Sequence, residues 1–200
     1  MTAGRLPPLA GLVLCGGGSS RMGRDKALIP VGKRPLVLHV ARLLGQVADP
    51  VFVAPGRPGR LGSLGYPEVA DEPPRAGPGG GMVAGLTASP HELLAVVAVD
   101  MPFANPVLFR LLAGFRIDQD AVVARSRSGP EPLHAVYARS ALPALRSALA
   151  RGELAVQEIL SRLRVRWVVE DEWREADPTG RFSVNLNRDE DLALLEGIGG

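Results

Sequence analysis

The 200-residue chain has few residues of several kinds, and each shortage excludes a class of protein. Five Phe, two Trp and two Tyr are too few for a platform that stacks nucleic-acid bases. A net charge of +2 is too small a surplus to indicate binding to nucleic acid or to a membrane surface. No apolar run approaches the roughly 18 residues that a membrane-spanning helix needs. We therefore expect a globular protein that binds neither nucleic acid nor membranes.

Cysteine, lysine and asparagine are also scarce. The single cysteine, Cys15, excludes a disulfide framework and is typical of a reducing cytoplasm. The apolar stretch that ends at Cys15 resembles a lipoprotein signal, but it is short, and bulky Leu14 stands where cleavage needs a small residue. We interpret it as a buried first strand of a cytoplasmic protein. Only two of the 23 cationic residues are lysines, which makes Lys26, inside a glycine-rich stretch, informative.

Short apolar runs alternate with helical patterns, as a mostly parallel sheet with crossover helices requires. Predicted strands cover residues 9–14, 51–54, 94–99, 121–124, 134–137, 165–169 and 182–187. Predicted helices cover residues 36–46, 106–115, 140–150, 154–163 and 189–195, with Asn105 and Asn187 as candidate caps. Residues 55–65 and 73–81 are predicted to be loops. The pattern predicts one domain over residues 1–200, with a core from about 9 to 195 and a three-layer, doubly wound (Rossmann-like) α/β fold.

A glycine-rich loop directly follows the first strand, with the sequence L-C-G-G-G-S-S-R-M-G-R-D-K from Leu14 to Lys26. Consecutive glycines bring bare backbone N–H groups close to a ligand, and Arg21 and Lys26 add positive charge. The spacing fits neither the dinucleotide fingerprint nor the Walker loop. Because α/β sheets bind ligands at the carboxyl ends of their strands, the loop is predicted to cradle phosphates rather than to be a plain surface turn.

Three further stretches carry polar side chains at informative places. Asp71 precedes a Gly-Pro-Gly-Gly-Gly run, although a solvated loop acid would also fit there. Asp100 ends a buried apolar strand, where a carboxylate suits Mg²⁺ unless it merely caps the next helix. Asn185 and Asn187, two of only three asparagines, would share one face of a strand. His134 has no second ligand nearby, so we expect a packed histidine.

The ordered combination of this loop with D-M-P-F at Asp100 and N-L-N at Asn185 resembles the molybdenum cofactor guanylyltransferases, a family of nucleotidyltransferases. The resemblance runs from residue 9 to about 195. It implies catalytic roles for Arg21, Lys26 and Asp100, with Asp100 holding Mg²⁺, and an acceptor-side location for Asn185 and Asn187. The nucleotide-binding residues that it implies are Leu14, Cys15, Gly16, Gly17, Lys26, Asp71 and Asp100. Cys15 replaces the usual alanine and is expected to pack in the loop rather than to act as a nucleophile.

The resemblance also implies a reaction, in which a terminal phosphate of molybdopterin attacks the α-phosphorus of GTP and releases pyrophosphate. GTP and the molybdopterin form of molybdenum cofactor would be the substrates, and molybdoenzymes or cofactor-biosynthesis proteins the partners. One departure is the lack of the family's asparagine before Arg57, where Gly56 stands. Three alternatives stay open: CTP with molybdopterin, another nucleotide with a sugar phosphate, or a non-catalytic carrier. The Gly16-Gly17 pair favours the purine.

Overall fold

The computed structural model describes residues 7–16, 25–115, 118–196 and 198, and its centre is a six-stranded sheet. The strand order is β4-β1-β5-β7-β6-β8, with a separate two-stranded ribbon of β2 and β3. Only β7 runs antiparallel to its sheet neighbours. The strands are β1 (Leu9–Leu14), β2 (Pro30–Val31), β3 (Arg34–Pro35), β4 (Val51–Ala54), β5 (Leu93–Ala98), β6 (Ala121–Ser126), β7 (Gly129–Ala138) and β8 (Val165–Val168). The mostly parallel sheet confirms the predicted fold class.

Strands β1, β4 and β5 are continuous apolar runs because both faces of the sheet are covered there. In β1, Leu9 and Val13 face one buried cluster, whereas Leu12 and Leu14 face another. Helices α1 (Leu36–Leu44) and α3 (Pro106–Gly114) cover the first face, and α2 (Gly77–Ala88), α4 (Leu142–Ala150) and α5 (Val156–Leu160) cover the second. Helix α6 (Glu170–Trp173) adds Trp173 to the first face. The three layers follow directly from this alternation of side chains.

Short 3₁₀ segments complete the chain, at Lys26–Leu28, Arg139–Ala141, Arg181–Ser183 and Asp189–Leu195. Asn105 caps α3 as predicted, because its Oδ1 accepts from the N–H groups of Val107 and Leu108 at 2.9 and 3.1 Å. No helix in the described part of the chain combines the length and apolarity needed to cross a membrane.

Two predictions about local structure are wrong. The predicted loop over 73–81 contains the start of α2, whose glycines approach the sheet so closely that a Cβ on Gly81 would lie 2.6 Å from Leu14 Cδ2. The predicted strand over 182–187 is not formed. There the Asp177 carboxylate accepts from the N–H of Phe182 at 3.0 Å and turns the chain.

The predicted cap at Asn187 is wrong as well. Arg188 is the cap of the last 3₁₀ segment, and the Asp191 carboxylate accepts from the N–H groups of Asn187 and Arg188 at 2.6 and 2.8 Å.

Candidate active site

A crevice of about 160 Å³ lies at the carboxyl ends of β1 and β5, where a doubly wound sheet binds its ligands. The residues that line it are Leu14, Cys15, Gly16, Asp25, Lys26, Pro78, Ala98, Val99, Asp100 and Leu133. Five of them are residues that the sequence singled out: Leu14, Cys15, Gly16, Lys26 and Asp100. The other side is closed by Pro78 at the start of α2 and by Leu133 of β7, so two strands of the parallel part of the sheet, one helix and the antiparallel strand meet here.

Two of the three charged side chains that line the crevice, Lys26 and Asp100, form an ion pair. Lys26 Nζ lies 2.9 Å from Asp100 Oδ2, and both side chains keep about a fifth of their surface exposed, at 20% and 23%. Asp100 itself is anchored through its backbone, because its carbonyl accepts from the N–H of Leu186 at 2.8 Å. The pair therefore joins the glycine loop, the end of β5 and the C-terminal segment.

Arg60 closes the base of the glycine loop. Its guanidinium donates to the Cys15 carbonyl at 2.8 Å, to the Pro55 carbonyl at 2.8 Å and to the Asp25 carboxylate. The other oxygen of Asp25 accepts from the N–H of Ala27 at 3.1 Å and caps the turn that carries Lys26. One side chain thus holds both ends of the loop and the end of β4.

The backbone of Gly16 packs directly on that of Gly56. A Cβ on Gly16 would lie 3.3 Å from Gly56 Cα, and Gly56 has a φ of +78°, which favours glycine. The position where the family's asparagine is missing therefore serves as a close backbone contact. Its effect is to hold the loops after β1 and β4 together.

Asp71 lies outside the crevice lining but beside its wall. A Cβ on Gly56 would be 3.9 Å from Asp71 Oδ2, and one on Gly81 would be 3.6 Å from Asp71 Oδ1. Among the described residues, none donates a hydrogen bond to this carboxylate, and partial burial raises its pKa. A half-buried acceptor without a donor can bind the N–H or O–H groups of a ligand.

The structure separates the two asparagines of the N-L-N stretch. Asn187 Oδ1 lies 3.5 Å from Lys26 Nζ, whereas Asn185 Nδ2 donates to the Ser183 carbonyl at 3.0 Å. Since no strand forms, the argument that both share one face does not hold. Gly17 and Arg21, also predicted for the site, lie outside the described residues.

The Cys15 thiol is buried, and burial raises its pKa to about 12. It stays protonated at neutral pH and donates weakly to the Val13 carbonyl at 3.8 Å. A protonated, enclosed thiol is a poor nucleophile. This agrees with the packing role expected for Cys15.

Histidines support the loop that carries Asp100. His39 Nε2 lies 2.8 Å from the Pro102 carbonyl, and His134 Nε2 accepts from the N–H of Asn105 at 3.1 Å. His134 is fully buried, is stacked on Phe109 with ring centroids 4.0 Å apart, and has a pKa lowered by burial to about 4. It is the packed histidine that was predicted.

Within the described ranges, no group of three or more His, Cys, Asp or Glu side chains could hold a metal ion. Near Lys26, however, the oxygens of Asp100 and Asn187 are hard donors of the kind that Mg²⁺ prefers. Because Mg²⁺ commonly takes one or two protein oxygens and fills its other positions with water and substrate phosphates, the donor set fits a metal that arrives with a nucleotide.

The family of the chain follows from its similarity to known proteins. A model described as a MobA-like NTP transferase domain matches residues 11–167. The chain belongs to this family. It is 36% identical over 203 residues to a protein of Chloroflexus aggregans named "Probable molybdenum cofactor guanylyltransferase", with 94% of this chain and 93% of that relative covered. A relative with the same name from Pelotomaculum thermopropionicum is 32% identical over 182 residues, covering 91% and 89%.

A solved structure agrees with this family assignment. Molybdopterin-guanine dinucleotide biosynthesis protein A from Archaeoglobus fulgidus superposes with a TM-score of 0.83 at 25% identity, covering 94% of this chain and 96% of that one. The resemblance inferred from the motifs is confirmed, and family membership makes the protein a nucleotidyltransferase.

Arg60 was missed by the reasoning from sequence. It is one of 21 arginines, and its partner Asp25 lies 35 positions away, so no local spacing connects them. A pairing signal between distant positions would have been needed to find it. Pro78 belongs to the Gly-Pro stretch that the family resemblance places at the pocket, and it lines the crevice from the start of a helix rather than from a loop.

Proposed function

We propose that the protein transfers GMP from GTP to the molybdopterin form of molybdenum cofactor, forming a guanine dinucleotide and releasing pyrophosphate. One observation carries the proposal: the site has two carboxylates in opposite environments. Asp100 is paired with a lysine, whereas Asp71 has no donor among the described residues. A lysine beside a carboxylate that can hold a metal, together with an acceptor for a base, suits a nucleoside triphosphate with Mg²⁺. The names of the relatives support guanine and molybdopterin as the substrates.

Asp71 would accept hydrogen bonds from the guanine N1–H and N2–H groups or from ribose hydroxyls. Gly16 packs on Gly56, and Gly56 lies close to Asp71, so the backbone after β1 lies near this carboxylate. We propose that the backbone contacts to the nucleotide come from Leu14, Cys15, Gly16 and Gly17. A base without donors at those positions would leave the carboxylate unpaired, which penalises its binding.

Lys26 would face the phosphates, with Arg21 as a second cation. Asp100 would hold Mg²⁺, which supplies positive charge that orients the phosphates and stabilises the departing pyrophosphate. The compact ammonium and the loop N–H groups would stabilise charge on the same leaving group. Because the crevice contains an ion pair before the nucleotide binds, Lys26 would exchange Asp100 for phosphate oxygens on binding.

The acceptor would approach from the side of Leu133 and Asn187, and Asn185, in the same C-terminal segment, would also serve the acceptor side. No general base is needed, since the attacking phosphate is already ionised. We further propose that the whole chain acts as one catalytic domain in the cytoplasm, where its partners would be molybdoenzymes or cofactor-biosynthesis proteins.

Calorimetric binding of GTP, CTP and ATP in the presence of Mg²⁺ tests the nucleotide. We expect GTP to bind at least about tenfold more tightly than CTP. Asp71→Asn should remove most of this preference, whereas Glu72→Gln, an exposed neighbour, should keep it. Equal dissociation constants for GTP and CTP would favour the cytidylyl alternative.

Pyrophosphate release tests whether the protein is an enzyme or a carrier. A mixture of protein, GTP, Mg²⁺ and molybdopterin should release pyrophosphate, and Asp100→Ala should abolish release without a change in melting temperature. Binding of both substrates without release would show a carrier.

A further inference from the structure

A second cavity, of about 320 Å³, lies between the β2–β3 ribbon and the outer side of α1, and none of its lining residues belongs to the crevice. The residues that line it are Val31, Lys33, Arg34, His39, Arg42, Leu43 and Gln46. Its volume falls at the lower end of the range typical of small-molecule sites.

The charge around this cavity is uniformly positive. Lys33, Arg34 and Arg42 are exposed, and in the described part of the chain no ion pair or hydrogen bond engages their side-chain charges. The sequence explains why: from Lys26 to Ala48 there is no Asp or Glu at all. Residues 1–64 hold nine Lys or Arg against two Asp or Glu, although the whole chain carries only +2. The positive charge is therefore concentrated in the first third of the sequence.

Some exposed arginines of the protein share an acidic partner, as Arg151 and Arg162 share the carboxylate of Glu153 with distances of 3.0 and 2.5 Å, whereas others in the described ranges have none. The cavity differs because three cations without an acidic partner among the described residues line it together. An anion bound there would supply the missing charge.

Part of the wall of this cavity is apolar. Val31 is buried at the base, and half-buried Leu43 lies beside it, so the cavity has an apolar surface under its cationic rim. We propose that this cavity binds a small organic phosphate, namely a phosphate monoester attached to an apolar or planar body. The guanidinium groups of Arg34 and Arg42 would bind the phosphate, and Val31 and Leu43 would contact the body.

His39 connects the cavity to the loop that carries Asp100. One of its ring nitrogens contacts the Pro102 carbonyl at 2.8 Å, two residues beyond Asp100, and the side chain also lines the cavity. An anion bound there would face the imidazole directly. His39 is therefore a natural reporter of occupancy that does not depend on turnover.

The chain has only three histidines, His39, His91 and His134, so imidazole NMR resonances can be assigned from single His→Gln variants. Phenyl phosphate, inorganic phosphate and pyrophosphate are titrated into the full chain at constant ionic strength set with sodium chloride. We expect phenyl phosphate to shift the His39 resonance saturably and to bind about fivefold more tightly than inorganic phosphate. The resonance of fully buried His134 should not move.

Variants locate the site. Arg34→Gln combined with Arg42→Gln should weaken phenyl phosphate about tenfold, whereas Arg151→Gln combined with Arg162→Gln should leave its affinity unchanged. Lys26→Met, in the nucleotide crevice, should also leave the His39 titration unchanged. The proposal is overturned if sodium chloride alone produces the shift, if only Lys26→Met abolishes it, or if pyrophosphate shifts His39 and phenyl phosphate does not. Because the readout is binding at His39, its failure would not affect the nucleotidyl-transfer proposal.

Discussion

The ammonium group of Lys26 lies 2.9 Å from the carboxylate of Asp100, the residue proposed to hold the metal. A protein cation thus occupies a position next to the oxygen that a divalent ion would need. Competition between the two cations would keep metal affinity low until a triphosphate draws the lysine away. Nucleotide and metal would then bind together rather than separately.

Removing the competing cation should strengthen metal binding in the protein without nucleotide. We expect Lys26→Met to bind Mn²⁺ about tenfold more tightly than the parent, as measured by electron paramagnetic resonance of free Mn²⁺. Lys26→Met combined with Asp100→Asn is the control and should lose the gain. An unchanged or weaker affinity in Lys26→Met would show that the lysine does not compete for this carboxylate.

The shape of the side chain at position 26 should matter for turnover as well as its charge. Its Nζ lies between Asp100 Oδ2 at 2.9 Å and Asn187 Oδ1 at 3.5 Å, a space in which a planar guanidinium would displace its neighbours. Lys26→Arg should therefore lose most steady-state turnover at unchanged net charge and melting temperature. Arg127→Lys, at a side chain 82% exposed, is the matched control. Turnover of Lys26→Arg equal to that of the parent would mean that position 26 supplies charge alone.

Arg60 should act on nucleotide binding through the loop that it closes. Arg60→Ala removes three contacts to Cys15, Pro55 and Asp25, so we expect the dissociation constant for GTP to rise about tenfold to a hundredfold. Arg60→Lys, which can reach only one partner at a time, should recover part of the loss. Arg174→Ala, at an exposed arginine directly after α6, is the control. If affinity is unchanged while the melting temperature falls, the role of Arg60 is in stability alone.

His134 should make the protein less stable in mild acid. Its pKa falls from an ordinary value of 6.5 to about 4 in the folded protein, because burial penalises the charged ring. The unfolded chain therefore binds the proton first, and stability is lost as pH decreases from about 6.5 to 4, by roughly 3 kcal/mol for this group. Urea unfolding across that range should show the slope, and His134→Gln should flatten it. The same slope in both proteins would assign the effect to other groups.

The parallel half of the sheet could be predicted from sequence because β1, β4 and β5 are covered on both faces and so appear as unbroken apolar runs. Helix α2 could not, since five of its twelve residues are glycine, the residue that local propensity places in turns. The glycines are explained by the neighbours: a Cβ on Gly85 would lie 2.8 Å from Leu12 Cδ2. Tertiary packing overrides propensity here, and that packing is visible only in three dimensions.

In the C-terminal segment the error is the reverse: a regular element was predicted where none forms. Spacing alone favoured a strand through Phe182 and Leu186, both of which are buried. In the structure the same two residues are buried by a turn that Asp177 holds. The apolar pattern is too short to distinguish a strand from a turn, and for that reason the prediction was wrong. For the site, the rule that α/β sheets bind ligands at strand ends led to the loop after β1 and to Asp100 after β5, and Lys26 and Asp100 do line one crevice. Their roles stay predictions. The contacts of Arg60 join residues that lie far apart in the sequence, so they could not be predicted.

Strand β1 pairs in register with β4 on one side and with β5 on the other. In terms of amide exchange, its N–H groups should therefore be released only when the whole sheet opens. Cys15, the crevice residue that follows β1 directly, is attached to one of the slowest-exchanging parts of the molecule. The sheet, and with it this end of the crevice, should stay closed through each turnover.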